Sequence, residues 1–481
     1  MSSNPLAPSW LRVPADANAL PENVWSMGAS RDSSGELVIA GVRASDLAAE
    51  FGTPLYVVDE ADARTRASRI RTSFDREFAR VGSSAKVYYA GKAFLSTEVA
   101  RWVTEEGLNI DVASGGELAV ALAAGVDAAR LGLHGNNKSL AEIDRAVEVG
   151  VGAIVIDSVV EIERVAQAAA RRGVVQRVRL RINSGVHAST HEYLATARED
   201  QKFGIPLADA PAVVAQIRTH PELEFLGLHS HIGSQIFESD GFAEAAHRLF
   251  DLHARLLEGG PVPELNLGGG FGIAYTSVDE PLDVEEIAKR FADIVAEGAA
   301  SFGVPVPIVA IEPGRSVIGP STTTLYRVGT IKDVEVTVPG QPEQAEQSSA
   351  VRKYVSVDGG MSDNIRPSLY GADYSARIAS RFSSAEPALV RVAGKHCESG
   401  DIVVHAEYLP ADVAPDDLLA VPATGAYGWA MASNYNYLAR PPVVAVRDGR
   451  ARVIVRGETE SDLLSRDAGI AAAPAPNLER E

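Results

Sequence analysis

Short apolar runs rich in β-branched residues alternate with alanine-rich stretches of helical period between residues 86 and 312. The runs have the length of buried strands, and the stretches between them are long enough for crossover helices. The predicted strands are Val87–Ala90, Leu108–Val112, Arg130–His134, Ala153–Asp157, Arg177–Asn183, Phe225–His229, Glu264–Leu267 and Ile308–Glu312. Helices are predicted at Ser158–Arg172, Asp240–Glu258 and Asp283–Phe302, with Asp157-Ser158 and Asp240 as N-cap candidates.

Eight strands separated by crossover-length segments predict an α/β fold with a (β/α)8 TIM barrel, and a doubly wound open sheet is the alternative. Polar and glycine-rich residues follow nearly every strand. Barrel enzymes build their active sites from the segments that follow the strands, so this distribution favours the closed barrel.

The pattern changes after about Ser321, where strand candidates follow one another without long helices between them. They are Leu325–Val338, Tyr354–Val357, Ala388–Val392, Asp401–Ala406 and Asp417–Val421. The alternation of Val443–Val455 around Asp448-Gly449 is typical of a hairpin. These features predict a second, mostly β domain, which a strand at Glu36–Val42 is expected to join.

We therefore expect an N-terminal segment (1–55) that joins the β domain, a barrel (56–322) and a C-terminal β domain (323–481). The polar stretch 341–350 is predicted to be an exposed loop, and the end of the chain from 471 to be a disordered tail.

The net charge of −19 over 481 residues argues against nucleic acid and anionic membranes as partners. An anionic substrate would need arginines placed in its site. Cys397 is the only cysteine, so no intrachain disulfide is possible, and neither a signal peptide nor a membrane span is visible. We expect a cytoplasmic protein.

Lys92 follows the first barrel strand and has aromatic and small neighbours. A lysine in a dry environment becomes a nucleophile, whereas a surface lysine is the alternative. His229 and His231 end the sixth strand and are predicted to point to opposite sides of it, so that one ring could stack on a planar cofactor. The alternatives are a core histidine or a metal site, but no carboxylate stands nearby in the sequence.

The turn Gly268–Gly270 after the seventh strand could hold an anion with its backbone N–H groups, or it could be a plain glycine turn. The eighth strand ends in Glu312-Pro313-Gly314-Arg315, which is either an internal salt bridge or a carboxylate for a ring nitrogen beside an anion-binding arginine.

Three segments of the second domain offer further chemistry, and each has a structural alternative. Cys397 with Glu398 is either a reactive pair or an inert thiol in a turn. Arg366 with Tyr370 is a binding pair or an exposed face, and Tyr427 between small residues is a ring contact or packing. In the barrel, the lysine, the ring-stacking histidine, the glycine turn and the carboxylate–arginine pair together meet each demand of a pyridoxal phosphate (PLP) site once.

On these motifs the chain resembles the alanine-racemase-like (fold type III) PLP decarboxylases, and within them the diaminopimelate decarboxylase family. The resemblance runs from about Leu55 to Glu460. Its markers are Tyr89–Ala93, Asp111–Glu117, Thr190–Tyr193, Lys202–Gly204, His229–Gln235, Gly268–Gly270, Glu312–Arg315, Cys397–Asp401 and Gly425–Tyr427. Ser184, where proline is common in the family, and Phe94, where asparagine is common, depart from the pattern without removing a functional group.

The resemblance implies decarboxylation of meso-2,6-diaminopimelate to L-lysine and CO2, the last step of lysine biosynthesis, in a homodimer with shared active sites. Lys92 would carry PLP covalently and His231 would stack on its ring. The other implied PLP contacts are Ser234, Gly270, Glu312, Pro313, Gly314, Arg315 and Tyr427. The implied substrate contacts are Arg315, Arg366, Tyr370, Tyr427 and, from the partner subunit, Glu398.

Cys397, also from the partner, would return the proton, although Lys92 is an alternative donor. No metal is implied. The alternatives for the whole chain are a decarboxylase of ornithine, arginine or carboxynorspermidine, a PLP-binding relative without activity, and a barrel that binds no PLP.

Overall fold

The computed structural model describes residues 4–185, 202–231, 235, 240–338 and 349–470. Ser234, the motif Thr190–Tyr193, most of the predicted 341–350 loop and the predicted tail lie outside the described residues. Among the residues described, no helix is both long and apolar enough to cross a membrane.

Strands and helices alternate through the first two thirds of the chain, and strands dominate the remainder. The strands are β1 Ala29–Arg31, β2 Leu37–Ile39, β3 Val42–Arg43, β4 Leu55–Asp59, β5 Ala85–Ala90, β6 Asn109–Val112, β7 Leu131–Leu133, β8 Ala153–Ile156, β9 Gln176–Asn183, β10 Ile205–Pro206, β11 Leu223–His229, β12 Glu264–Asn266, β13 Ile308–Ile311, β14 Thr322–Thr337, β15 Ser349–Val357, β16 Arg377–Ile378, β17 Pro387–Ala393, β18 Ile402–Pro410, β19 Leu418–Val421, β20 Val443–Arg447 and β21 Arg450–Val455. The helices are α1 Ala44–Phe51, α2 Glu60–Arg80, α3 Thr97–Glu105, α4 Gly115–Ala123, α5 Leu140–Val149, α6 Val159–Arg172, α7 Ala210–Arg218, α8 Asp240–Leu257, α9 Val284–Phe302, α10 Arg315–Ile318, α11 Arg366–Tyr370 and α12 Glu460–Leu464.

Eight parallel strands close into a barrel in the order β5-β6-β7-β8-β9-β11-β12-β13, with β13 pairing back to β5. This confirms the predicted (β/α)8 barrel over the open sheet. The strands are buried on both faces, as in Ala153–Ile156, because helices cover the outside and side chains fill the inside. The C-terminal ends of these strands lie at one face, where the polar and glycine-rich segments gather.

Helix starts follow the capping rules only in part. Ser139 forms a full capping box with Glu142 at α5, and the Asp283 side chain accepts from the Glu285 N–H at α9. Ser158 precedes α6 as predicted, but its side chain makes no capping bond. Asp240 is the first residue of α8 and does not precede it as an N-cap.

A second sheet has the order β18-β17-β15-β14-β4-β20-β21, and this confirms the predicted mostly β domain. Residues 56–59, which we expected in the barrel, lie in β4, which pairs with β14 and β20 of this sheet. The predicted strand Glu36–Val42 is two short strands, because Ala40 and Gly41 both take positive φ and turn the chain. Leu37 packs into the apolar cluster that contains Leu325 of the second sheet.

Candidate active site

A cavity of about 700 Å³ opens at the C-terminal ends of the barrel strands, against the second domain. It brings together most of the site residues predicted from the sequence: Lys92, His231, Gly270, Glu312, Gly314, Arg315, Arg366, Tyr370 and Tyr427. Pro313 is not among the residues that line the cavity. Its carbonyl accepts from the Ala90 N–H at 2.9 Å.

Lys92 stands in a short turn directly after β5. Its neighbours Gly91 and Ala93 are buried, as expected, but Lys92 itself is exposed. The Lys92 side chain faces an open cavity. The expectation that it lies in a dry environment is therefore wrong for this structure. The Ala93 carbonyl accepts from the Tyr427 N–H at 2.9 Å, so the lysine turn is tied to the second domain.

Glu312 is held by side chains from three other strand ends. Its Oε1 accepts from Asn266 Nδ2 at 2.7 Å and lies 3.0 Å from His229 Nε2 and 3.5 Å from His134 Nε2. Burial by itself raises the pKa of Glu312, but the nearby imidazoles of His229 and His134 bring that pKa well below its usual range. The carboxylate is therefore ionised and faces the cavity.

Asp111 and His134 extend this network away from the cavity, with 3.1 Å between Asp111 Oδ1 and His134 Nε2. Burial, and next the charge of Glu312, raise the pKa of Asp111 well above its ordinary value. Burial lowers the pKa of His134 to about 4. At neutral pH Glu312 is therefore a carboxylate and His134 a neutral imidazole, while the raised pKa of Asp111 means that it holds a proton more tightly than an ordinary aspartic acid.

The expectation that His229 and His231 point to opposite sides is wrong. Residues two apart in an extended chain share a face, and both rings lie close enough to Glu312 to interact with its charge. His231 lines the cavity, while His229 lies beneath it, fully buried. The fold also supplies the carboxylate that the sequence did not show near these histidines, since ligand atoms of His134, His229 and Glu312 lie within 4.8 Å of one another.

The glycine turn after β12 is closely enclosed. A Cβ on Gly269 would lie 2.0 Å from the Glu312 carbonyl oxygen, and Gly268 and Gly270 have φ of +72° and +109°. Side chains are therefore excluded for steric and conformational reasons. Gly270 lines the cavity, so its backbone can approach a bound anion.

Arg315 and Arg366 reach the cavity from different domains and meet around Tyr275. Arg315 follows β13 and donates to the Tyr275 hydroxyl. The Arg366 guanidinium lies 4.4 Å from the centre of the Tyr275 ring. Arg366 is 6% exposed, and its contacts in the part of the chain that the structure describes are with Tyr275 and Tyr374, with no carboxylate at ion-pairing distance. A buried cation without a carboxylate partner is available to bind an anion.

Cys397 and Glu398 do not reach this cavity in their own chain. Both are exposed, in the turn between β17 and β18. Asp401 anchors the turn by accepting from the N–H groups of His396 at 2.8 Å and Met361 at 2.6 Å. Within one chain, the predicted thiol and carboxylate are thus separated from the other site residues.

Sequence reasoning missed Asp111, His134, Asn266 and Tyr275 as members of the site. Asp111 begins a recognised motif, and Asn266 lies near the end of a predicted strand, so their positions were a usable signal. His134 ends a predicted strand in the same way. Tyr275 lies beyond the glycine turn, and no pattern along the chain marks it.

Residues 64–319 match the family model described as pyridoxal-dependent decarboxylase, pyridoxal binding domain. The chain is 49% identical to the diaminopimelate decarboxylase of Mycobacterium tuberculosis (strain H37Rv) over 93% of this chain and 98% of that protein. It is 45% identical to the Bacillus subtilis (strain 168) diaminopimelate decarboxylase over 92% of this chain and 97% of the relative.

The chain belongs to the diaminopimelate decarboxylase family of pyridoxal-dependent decarboxylases. Its fold is similar to that of the M. jannaschii diaminopimelate decarboxylase, with a TM-score of 0.83 and 29% identity over 93% of this chain and 98% of the other. A second structure of that enzyme, in co-complex with L-lysine, has a TM-score of 0.82 at 30% identity, over 92% and 98% of the two chains.

The cavity fits the cofactor that the family model names. It combines an exposed lysine amine, a buried carboxylate with one oxygen held by Asn266, and a glycine turn that a Cβ would obstruct. These are the groups required by an aldehyde, a protonated ring nitrogen and a phosphate, respectively. As a member of this family, the protein is a PLP-dependent decarboxylase.

Proposed function

We propose that the chain decarboxylates meso-2,6-diaminopimelate to L-lysine and CO2, the last step of lysine biosynthesis. The observation that carries the proposal is the buried Arg366, which lines the same cavity as Lys92, contacts Tyr275 and Tyr374, and has no carboxylate partner among the described residues. An amino-acid substrate that keeps a second carboxylate after the reaction would supply the missing anion.

In this proposal Lys92 carries the cofactor, and Glu312 faces its ring nitrogen. His231 lies against the ring, while Gly270 and Gly314 contribute backbone groups to the phosphate site. Ser234 and Pro313, with Tyr427 and Arg315, complete the proposed contacts. The enclosed glycine turn and the ionised Glu312 support this arrangement.

The cofactor supplies a sink for the electrons that remain on the α-carbon when CO2 leaves. The ionised Glu312 favours a protonated ring nitrogen, and its network keeps the carboxylate in place. Arg315 and Arg366, with Tyr370 and Tyr427, hold the substrate carboxylate that is not lost. A proton then returns to the α-carbon from Cys397 Sγ or Lys92 Nζ.

We further propose a homodimer in the cytoplasm, in which each subunit completes the site of its partner. Cys397 and Glu398 are exposed and stand apart from the cavity of their own chain, which supports a role in a neighbouring subunit. Glu398 would accept from the distal ammonium of the substrate, since this end carries both an ammonium and a carboxylate.

The test is incubation of the purified protein with PLP and meso-diaminopimelate, while lysine and CO2 are measured. Ornithine, arginine and carboxynorspermidine serve as matched substrates, because they present a different distal group to the arginines. Release of CO2 from one of these three compounds, and not from diaminopimelate, would identify that compound as the substrate. Release from none would favour a PLP-binding relative without activity.

Borohydride reduction followed by peptide mapping tests the position of the cofactor. The label is expected on Lys92 and absent from a Lys92→Ala variant. A label on another lysine, or a protein that is not labelled and remains colourless with PLP, would contradict the proposed site.

A further inference from the structure

Tyr275 stands where the barrel and the second domain meet at the cavity. It lies five residues after the glycine turn, is 5% exposed, and lines the cavity. Its backbone is fixed on both sides, because its N–H donates to Asp279 Oδ2 at 2.9 Å and its carbonyl accepts from the Ser375 N–H at 3.1 Å. The ring therefore has a defined position between the two domains.

Two cationic side chains use different parts of this one ring. The Tyr275 hydroxyl accepts from Arg315 Nη1, and the Arg315 guanidinium lies 5.7 Å from the ring centre. Arg366 stacks closer to the ring, at 4.4 Å, and donates to the hydroxyl of Tyr374. Tyr374 in turn meets Tyr275 edge to face, with 5.0 Å between the ring centres.

A neutral aromatic residue can hold both arginines in place without cancelling their charge, which a carboxylate could not. An aspartate or glutamate between the arginines would bind both cations and neutralise them. A tyrosine offers one hydrogen bond and a ring with partial negative charge, so it attracts both guanidinium groups without supplying a competing anion. The Tyr275 side chain therefore holds both guanidinium groups without neutralising either positive charge itself.

We propose that Tyr275 is a positioning residue that holds Arg315 and Arg366 as one carboxylate-binding pair, and so sets the preference of the cavity for ligands that carry a carboxylate. The inference rests on the proposed function in its choice of ligand. Tyr275 acts through the two arginines and takes no part in the chemical step. Because Arg315 belongs to the barrel and Arg366 to the second domain, the pair forms only when both domains meet at this ring.

The test compares two ligands that differ by one carboxylate, L-lysine and cadaverine, by calorimetry on the PLP-loaded protein. Tyr275→Phe keeps the ring and removes the hydroxyl bond to Arg315, and Tyr275→Leu removes the ring as well. We expect L-lysine to bind about fivefold more weakly to the phenylalanine variant and at least about tenfold more weakly to the leucine variant. Cadaverine affinity should change by less than about twofold.

Tyr374→Phe is the matched control, because it removes a hydroxyl from Arg366 and leaves Arg315 untouched. It should weaken L-lysine binding by less than Tyr275→Leu. In turnover, the Tyr275 variants should raise KM by more than they lower kcat.

Equal weakening of both ligands in the Tyr275 variants would indicate general damage to the site and overturn the inference. Unchanged L-lysine affinity, or a wild type that binds both ligands equally, would also overturn it. The proposed function fails separately, if the wild type prefers L-lysine to cadaverine but releases no CO2 from diaminopimelate. Should Tyr275→Leu not fold, the phenylalanine variant still decides.

Discussion

Glu312 shows how much one side chain depends on its neighbours. Its Oε1 is held by Asn266, His229 and His134, which follow or end three different strands. Asn266 Nδ2 donates to this oxygen, and the Nε2 atoms of both imidazoles lie within 3.5 Å of it. These contacts fix the orientation of the carboxylate, and the imidazoles favour its charged form although the side chain is only 10% exposed.

Glu312→Gln tests that charge at nearly constant volume. We expect PLP to remain bound and turnover to fall by about a hundredfold or more, because each ~1.4 kcal/mol of lost transition-state stabilisation costs tenfold in rate. The measurements are kcat and the absorbance of bound PLP. Glu285→Gln, an exposed substitution near the start of α9, is the control and should keep wild-type turnover. Near-wild-type kcat in Glu312→Gln would exclude the role at the ring nitrogen.

At the scale of elements, the segments that follow the strands contribute most of the site residues, whereas the strands form the buried core of the barrel. The turn after β12 packs against the end of β13, where Glu312 N–H donates to the Gly268 carbonyl at 2.9 Å. The glycine turn and the Glu312 segment are therefore parts of one rigid arrangement. A change in either should disturb the other.

Gly269→Ala places a Cβ 2.0 Å from the Glu312 carbonyl oxygen, so the turn or the Glu312 segment must shift. We expect PLP affinity to fall by about tenfold or more, measured by titration of the apoprotein. Gly329→Ala is the matched control, because its Cβ would meet only the Ser356 carbonyl oxygen, at 3.8 Å. Equal PLP affinity in both variants would contradict this prediction, because the turn would then accommodate the added Cβ without weaker PLP binding.

Asp363, in the turn between β15 and α11, makes stability depend on pH. Burial raises its pKa from 3.8 to about 7, while bonds from Tyr326 and the Gly360 N–H lower it. Between about pH 4 and 7 the folded state keeps a proton that the unfolded chain releases. This group therefore lowers the free energy of unfolding as pH rises through that window.

Asp363→Asn should remove this dependence, because the amide can accept from Gly360 and donate to Tyr326. We expect the variant to gain stability relative to wild type as pH rises from 4 to 7, by up to a few kcal/mol. Urea unfolding at several pH values measures the difference. A constant difference across the window would contradict the assigned titration.

At the scale of the molecule, each chain presents Cys397 and Glu398 outward and Arg366 inward. Asp401 joins the two segments by accepting from His396 and Met361. In the proposed dimer, the segment that serves the partner is thus bonded to the segment that serves the chain's own cavity. Assembly should therefore be a condition for activity.

Mixed dimers test this directly. Lys92→Ala and Cys397→Ala should each be nearly inactive, whereas a coexpressed mixture should recover about a quarter of wild-type activity, from one intact site in half of the dimers. Lys92→Ala with Glu312→Ala is the control, because both changes lie in the same chain's part of the site and no intact site can form. Recovery in the control, or none in the first mixture, would contradict shared sites. Wild-type turnover by Cys397→Ala alone would exclude the thiol as proton donor.

Hydrophobic periodicity and turn residues along the chain were enough to predict the barrel, the β domain and the strand ends that carry Lys92, Glu312 and the glycine turn. These signals are local, since burial on two faces and turns at fixed offsets leave their mark within a few residues. The errors were local as well: Ala40-Gly41 divides a predicted strand, and Asp240 begins a helix that it was expected to cap.

Contacts between distant segments depended on folding and could not be read from the chain. His134 and Glu312 stand 178 positions apart in the sequence, yet His134 Nε2 lies 3.5 Å from Glu312 Oε1. Tyr275 meets Arg366 only because the second domain packs against the barrel at this point. Side-chain charge states belong to the same class, because burial and neighbours set them only when the strands have closed.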